Sequence, residues 1–185
     1  ETNRFNIEWL GQAESTNTLM RERLLSSSPP PSGTILATTR QTAGRGRAGR
    51  VWQSGQGENL CCSLYLGTAA SPVRIPALSM AAALAVDDTL RGLGIDSQTK
   101  WPNDVRVGGK KICGILSEHL NRKKIKGAII GVGLNVNMDE KAAAAIDQPA
   151  TSMLIETGHS HDVHAVLDSL IQRLPSRLAA WKESG

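Results

Sequence analysis

At 185 residues, 40% of them hydrophobic and 18 more glycine, the chain has enough material for one domain with a real core. A formal net charge of +4 suits an anionic ligand but falls short of the cation density of a histone-like nucleic-acid binder. No apolar run approaches the ~20 residues of a membrane span, and Cys61, Cys62 and Cys113 are too few and too badly spaced for a disulfide framework or a zinc site.

Phe5 to Leu10 read as a short opening strand. In "AESTNTLMRERLL", Ser15 or Thr16 caps a helix whose Leu19, Met20 and Leu24 share one stripe, and "SSSPPPSG" ends it. "TILATT", Thr34 to Thr39, is a β-rich strand that runs into "QTAGRGRAGR", Gln41 to Arg50. "NLCCSLYL", Asn59 to Leu66, is the next strand, with Cys61 and Cys62 on opposite sides as buried thiols of a reducing compartment. "RIPALSMAAALAVDDTLRGLG" carries the longest helical pattern, through Leu78, Ala82, Ala85, Val86 and Leu90, with Gly92 and Gly94 as its stop. Four strands follow, "TKW", "DVRV", "KKICGILSEHL" and "KIKGAIIGVGLNV", with hairpin turns at Gly108-Gly109 and Asn121-Arg122-Lys123. "VHAVLDSLIQRLPSRLAAW" is the closing helix, which Pro175 should kink or divide. Hairpins rule out an all-parallel sheet. The predicted class is α+β, a mixed, largely antiparallel sheet backed by helices, in one domain over residues 1–185.

Four stretches carry chemistry. The loop from Gln41 to Arg50 pairs glycines, whose backbone can approach a ligand closely, with arginines, whose planar forks grip phosphate or carboxylate. It fits a loop that closes over an anion, a solvated basic turn or a contact for nucleic-acid phosphates. It lacks the Gly-Lys-Ser/Thr order of a P-loop, and its glycines precede a strand, unlike a dinucleotide fingerprint. In "KWPNDVRVGGKKICGILSE", Asn103 and Asp104 stand at a strand start, and alternation places Lys110 and Lys111 on opposite sheet faces. On that count Lys111 shares its face with Cys113 and Ile115 and needs an anionic partner, unless both lysines are edge residues that discourage aggregation. In "GVGLNV", Gly131 and Gly133 interrupt an apolar strand, where something comes close to the backbone or a helix packs tightly. In "ESTN", Ser15 and Thr16 serve as caps, which does not exclude that the hydroxyls and amides of the same region also meet a ligand. His159, His161 and His164 lack the further ligands a metal site requires.

Taken in order, Ser-Thr-Asn at 15–17, Gln-Thr-Ala-Gly-Arg-Gly-Arg at 41–47 with Trp52 after it, Lys-Trp-Pro-Asn-Asp at 100–104, Lys-x-x-Gly-Ile-Leu at 111–116 and Gly-x-Gly-x-Asn at 131–135 resemble the catalytic domain of biotin–protein ligases. The resemblance spans Glu14 to Val136, with an echo in "ATSML" at Ala150 to Leu154. It implies a fold like class II aminoacyl-tRNA synthetases and lipoate ligases. It also implies two steps: biotin and ATP give biotinyl-5′-adenylate and pyrophosphate, and a lysine of a biotin carboxyl carrier domain, of the acetyl-CoA carboxylase type, then takes the biotinyl group and releases AMP.

By the same resemblance, Lys111 bridges the biotin carboxylate and the α-phosphate, and Arg47 lies beside the reacting centre; these two are the catalytic candidates. Gly44, Arg45 and Gly46 close the loop over biotin, while Ser15, Thr16, Asn17 and Gln41 address its ureido ring and nearby atoms. Gly114, Ile115, Gly131 and Gly133 complete the biotin side. Arg50, Trp52, Asn103 and Asn135 address the nucleotide, with the indole stacking on adenine. Mg²⁺ accompanies the triphosphate, and Asp104 either holds it or orients its neighbours. Some family members carry an N-terminal DNA-binding domain or a C-terminal β-barrel, and neither is expected in this chain. No DNA or membrane partner is expected, the location is expected to be the cytoplasm, and a homodimer is possible. The rivals are a lipoate–protein ligase on the same fold and a basic nucleic-acid-binding module, for which an aromatic content of 3% supplies few stacking platforms. With no large apolar residue between Gln41 and Arg50, the loop is expected to be disordered when empty and to order over ligand.

Overall fold

Strands β1 (Asn6–Trp9), β2 (Thr34–Thr38), β3 (Leu60–Gly67), β4 (Ser97–Lys100), β5 (Asp104–Val107), β6 (Lys110–Arg122) and β7 (Ile125–Leu134) form one sheet in the order β1-β2-β3-β7-β6-β5-β4. The structure, a computed structural model, describes residues 5–55, 57–69, 71–122 and 125–183. β1 pairs with β2 in parallel, and the other five pairings are antiparallel, so the sheet is mixed and largely antiparallel as its hairpins require. The helices are α1 (Thr16–Leu24), α2 (Ile75–Gly92), α3 (Glu140–Ala144), α4 (Met153–Thr157) and α5 (Val163–Glu183).

Alternation along the strands sorts their side chains onto two faces. Cys62, Leu64 and Leu66 of β3 and Ala128, Ile130, Val132 and Leu134 of β7 join the main core with α2 and α5. On the other face Met20 and Leu24 of α1 pack with Leu36, Tyr65, Leu120 and Ile129, which leaves the rest of that face open. Ser15 caps α1 by accepting from the Thr18 amide at 3.4 Å. α2 stops where its stripe does: Gly94, at φ +81°, turns its amide to the Arg91 carbonyl at 3.0 Å while the Ile95 amide reaches Leu90 at 3.0 Å. α2 and α5 are also tied by a bidentate pair, with Arg177 Nε and Nη2 each 2.6 Å from the Asp88 carboxylate.

Three expectations change. Pro175 does not divide α5, whose buried stripe continues through Leu174, Leu178 and Trp181, because packing on α2 holds the helix across the missing amide. Asn121 and Arg122 stay in β6, paired with Lys126 and Ile125, and Lys123 lies outside the described residues. The strand read at "TKW" is β4, which begins at Ser97 and stops before Trp101.

Candidate active site

The site is a cavity of about 460 Å³ on the open sheet face, floored by β3, β7 and β6 and bounded by the start of α1, the arginine loop and the turn before β5. Its floor is a row in register: Cys61 of β3 pairs with Gly133 of β7, and Gly133 with Gly114 of β6. The next row runs Ser63, Gly131, Leu116. Gly133 and Gly131 are needed for a close approach, and Gly114 is tight. A Cβ at Gly133 would collide with Trp52 Cε2, one at Gly131 with Asn17 Oδ1, and one at Gly114 would stand 3.1 Å from both Lys111 Nζ and Trp52 Cζ3. What comes close to the strand glycines is thus the protein's own side chains.

Lys111 enters this cavity for a reason other than simple alternation. Val105 pairs with Cys113 but Arg106 pairs with Lys111, so Ile112 is an extra residue in β6, a β-bulge. The bulge shifts the parity. Ile112, Cys113 and Ile115 all turn into the main core, and Lys111 shares the cavity face with Gly114. The expected grouping of Lys111 with Cys113 and Ile115 is therefore corrected, and the predicted biotin contact Ile115 borders the cavity with its side chain in the core behind. Lys110 remains exposed. The anionic partner expected for Lys111 is Asp104, whose Oδ1 is 2.8 Å from Nζ; Arg106 approaches the other oxygen at 3.7 Å. The Lys111 backbone is clamped as well: its amide donates to Pro149 at 2.8 Å and its carbonyl accepts from Thr151 at 3.0 Å.

The arginine loop is held at its near end. The Gln41 side-chain oxygen accepts from the Thr16 amide at 2.7 Å and from its hydroxyl at 3.2 Å, and the amides of Thr42 and Ala43 donate to Ala13 and Glu14. Ser63 Oγ lies 2.7 Å from Thr16 Oγ1 and 2.6 Å from Asn17 Oδ1, deep beneath them. Gly44 must be glycine, because a Cβ there would meet the Trp52 carbonyl. Beyond Gly46 the loop folds on itself: the Gly46 amide donates to Arg50 at 2.7 Å, and Arg47 Nη1 donates to Asn103 Oδ1 at 3.2 Å. Asn103 is fixed in turn, its amide donating to the Ile115 carbonyl at 2.9 Å.

A second cavity of about 710 Å³ adjoins the first, lined by Gln53, Asn135, Ile146, Asp147 and Ala150, and it shares Arg50, Val51, Trp52, Lys111 and Gln148 with it. Lys111 Nζ sits 5.8 Å from the Trp52 ring centroid, so the two form the wall between the cavities. Asn135 is buried with its amide donated to the Thr151 carbonyl at 3.0 Å, and its enclosed Oδ1 has no hydrogen-bond partner among the described residues. The cysteines are inert. All three are buried and free, and burial pushes the Cys61 and Cys62 thiols up to about 12.

Of the residues expected on the nucleotide side, Asn135 lines only the second cavity, Arg50 and Trp52 line both, and Asn103 lines only the first; the residues expected around biotin line the first, apart from Gly44, which lines neither. No group of three His, Cys, Asp or Glu that could hold a metal by itself converges among the described residues, and Asp104, expected either to hold magnesium or to orient its neighbours, pairs with Lys111. Sequence reasoning missed Glu118, Ser63 and Gln148. Glu118 was visible only as the acidic residue of "KKICGILSEHL", and Ser63 as a lone hydroxyl in "CCSLYL".

The model of the Biotin/lipoate A/B protein ligase family matches residues 9–135. The chain is 35% identical over 164 residues to the bifunctional ligase/repressor BirA of Bacillus subtilis, covering 87% of this chain and 50% of that protein. It is 32% identical over 183 residues to the biotin–[acetyl-CoA-carboxylase] ligase of Mycobacterium tuberculosis, covering 96% and 66%. The chain therefore spans half to two thirds of the length of these relatives. Among solved structures, the biotin protein ligase of Aquifex aeolicus in complex with biotin and ATP superposes with a TM-score of 0.79 at 32% identity, over 97% of this chain and 73% of that one.

Proposed function

Because the chain belongs to the Biotin/lipoate A/B protein ligase family, we propose that it activates biotin with ATP and transfers the biotinyl group to a lysine of a biotin carboxyl carrier domain. The observation that carries this reading is the position of Lys111 in the wall between two adjoining cavities, the smaller beside Thr16, Asn17 and Gln41 and the larger beside Asn135. Both lie in the size range of small-molecule sites, roughly 300–1,000 Å³.

Biotin takes the smaller cavity, its ring end at the hydroxyls and amides of α1's first turn and its carboxylate toward Lys111. The nucleotide takes the larger, with Trp52 as an apolar wall for the purine and Asn135 on its lining. Two anions then meet at the junction and repel each other. Lys111 and Arg47 supply fixed positive charge there, which lowers the barrier by positioning and preorganisation. Asp104 keeps the Lys111 side chain in its place until the carboxylate arrives. A carboxylate oxygen attacks the α-phosphorus, the bond to pyrophosphate breaks, and a mixed anhydride remains. The carrier amine attacks its carbonyl carbon and AMP leaves. The loop from Gly46 to Val51 closes over the anhydride and keeps water from it. Magnesium bound with the triphosphate would offset its negative charge, and Asp104 is the residue that would hold it or orient its neighbours.

The test is biotin-dependent exchange of pyrophosphate into ATP, run in parallel with lipoate. Exchange with biotin and none with lipoate is expected. Exchange with lipoate alone, or with neither acid, refutes the reading.

A further inference from the structure

Glu118 of β6 gathers three partners, two from α1 and one from the arginine loop. Its Oε1 receives Arg21 of α1 at 2.7 Å and Arg45 of the loop at 3.2 Å, and its Oε2 accepts from the Asn17 amide at 2.9 Å. Its side chain is only 13% exposed, whereas Arg45 is 47% exposed. Arg45 also donates to Thr18 Oγ1 at 3.4 Å.

The ties of the loop are unevenly spread. From Gln41 to Arg45 nearly every residue is held by α1's leading segment or by Glu118. From Gly46 to Val51 the bonds are internal, apart from Arg47 to Asn103. The Arg45–Glu118 pair is thus the last tie of the near limb to the sheet, and beyond it only Arg47, on Asn103, bonds outside the loop.

We propose that Glu118 is a positioning residue that sets biotin affinity, by tethering the near limb of the arginine loop and by orienting Asn17 from below. This rests on the activity proposed above. Acting through Arg45 and Asn17, Glu118 changes how well the loop closes over the acid and not the chemistry at Lys111. A charge-assisted hydrogen bond from a half-exposed arginine to a mostly buried carboxylate has enough strength to bias such an equilibrium.

Glu118→Gln keeps an acceptor for Asn17 and removes both ionic pairs, whereas Arg21→Gln removes only the pair to α1. The readouts are the biotin KM and the kcat of pyrophosphate exchange, and the rate at which trypsin cuts at the loop arginines of the ligand-free chain. E118Q should raise the biotin KM about tenfold, change kcat less than about twofold, and speed cleavage severalfold. R21Q should leave all three near wild type. Arg45→Gln should reproduce the faster cleavage, and the double variant with E118Q should be no worse than the stronger single one. Arg45→Gln alone also carries the test should E118Q not fold. Equal effects of E118Q and R21Q would make Glu118 a brace of α1 and overturn the proposal; so would additive effects of E118Q and R45Q, or faster cleavage without a rise in KM. If the wild type lacks biotin-dependent exchange, the proposed activity fails separately, while the cleavage rates still decide whether the tether exists.

Discussion

A single inserted residue decides where the reactive lysine points. Counting by twos from Lys111 puts it with Cys113 and Ile115, against the helices; the bulge at Ile112 returns it to the open face, beside Gly114. The lysine that matters was legible from its motif, but the reason it faces the cavity was not, because bulges follow from pairing with β5 and leave no mark in composition. Glu118 was illegible for a related reason: its partner Arg45 is 73 positions away. Its environment gives a pH signature. Burial alone would raise the Glu118 carboxyl, but the Asn17 hydrogen bond and the charges of Arg21 and Arg45 outweigh it and hold the group below its ordinary value. A carboxyl depressed in the folded chain stabilises it fully above the unfolded value of about 4.3 and loses that contribution as pH falls through the lower folded value. The difference in urea midpoint between wild type and E118Q should therefore be constant from pH 7 to about 5 and shrink below about 4. A difference that grows on acidification contradicts this environment.

At the scale of elements, the strand glycines announced a close approach but not by what. The sequence pattern allowed a ligand or a helix; the sheet register brings Gly133 and Gly114 side by side and the Trp52 indole onto them. Gly133→Ala should cost about 1–3 kcal/mol in urea unfolding through overpacking, and most of that cost should vanish in a Trp52→Ala background. An equal cost in both backgrounds would mean that something other than the indole occupies the space. Helix boundaries were more readable, since Ser15 and Gly94 carry their capping chemistry locally. Pro175 was misleading, because tertiary packing of α5 on α2 overrides a local breaker. The Arg177 hydrogen bonds that join these helices hold the Asp88 carboxyl below its ordinary value, yet both partners are about a third exposed, so water screens the pair. Asp88→Asn should accordingly lower stability by no more than ~1 kcal/mol in a melting experiment at neutral pH. A much larger loss would show that the pair, and not only the apolar stripe, holds α5 on α2.

At the scale of the molecule, the fold is a sheet with one face spent on a core and the other kept open. Its α+β class followed from hairpins that forbid an all-parallel sheet, but the placement of β3 beside β7, which lays Cys61, Gly133 and Gly114 in one row, is a long-range pairing no local pattern encodes. The same holds for residues 149–151, which return from the far side of α3 to clamp the Lys111 backbone and complete the wall between the cavities. The whole arrangement converges on one side chain. The most direct measurement is the biotin-dependent pyrophosphate exchange rate of Lys111→Ala beside wild type and Lys110→Ala, with melting curves of all three. Loss of exchange by about 10²-fold or more in K111A alone, with all three still folded at the assay temperature, is the outcome the account requires. Exchange within about twofold of wild type in K111A, or equal losses at Lys110 and Lys111, would contradict it.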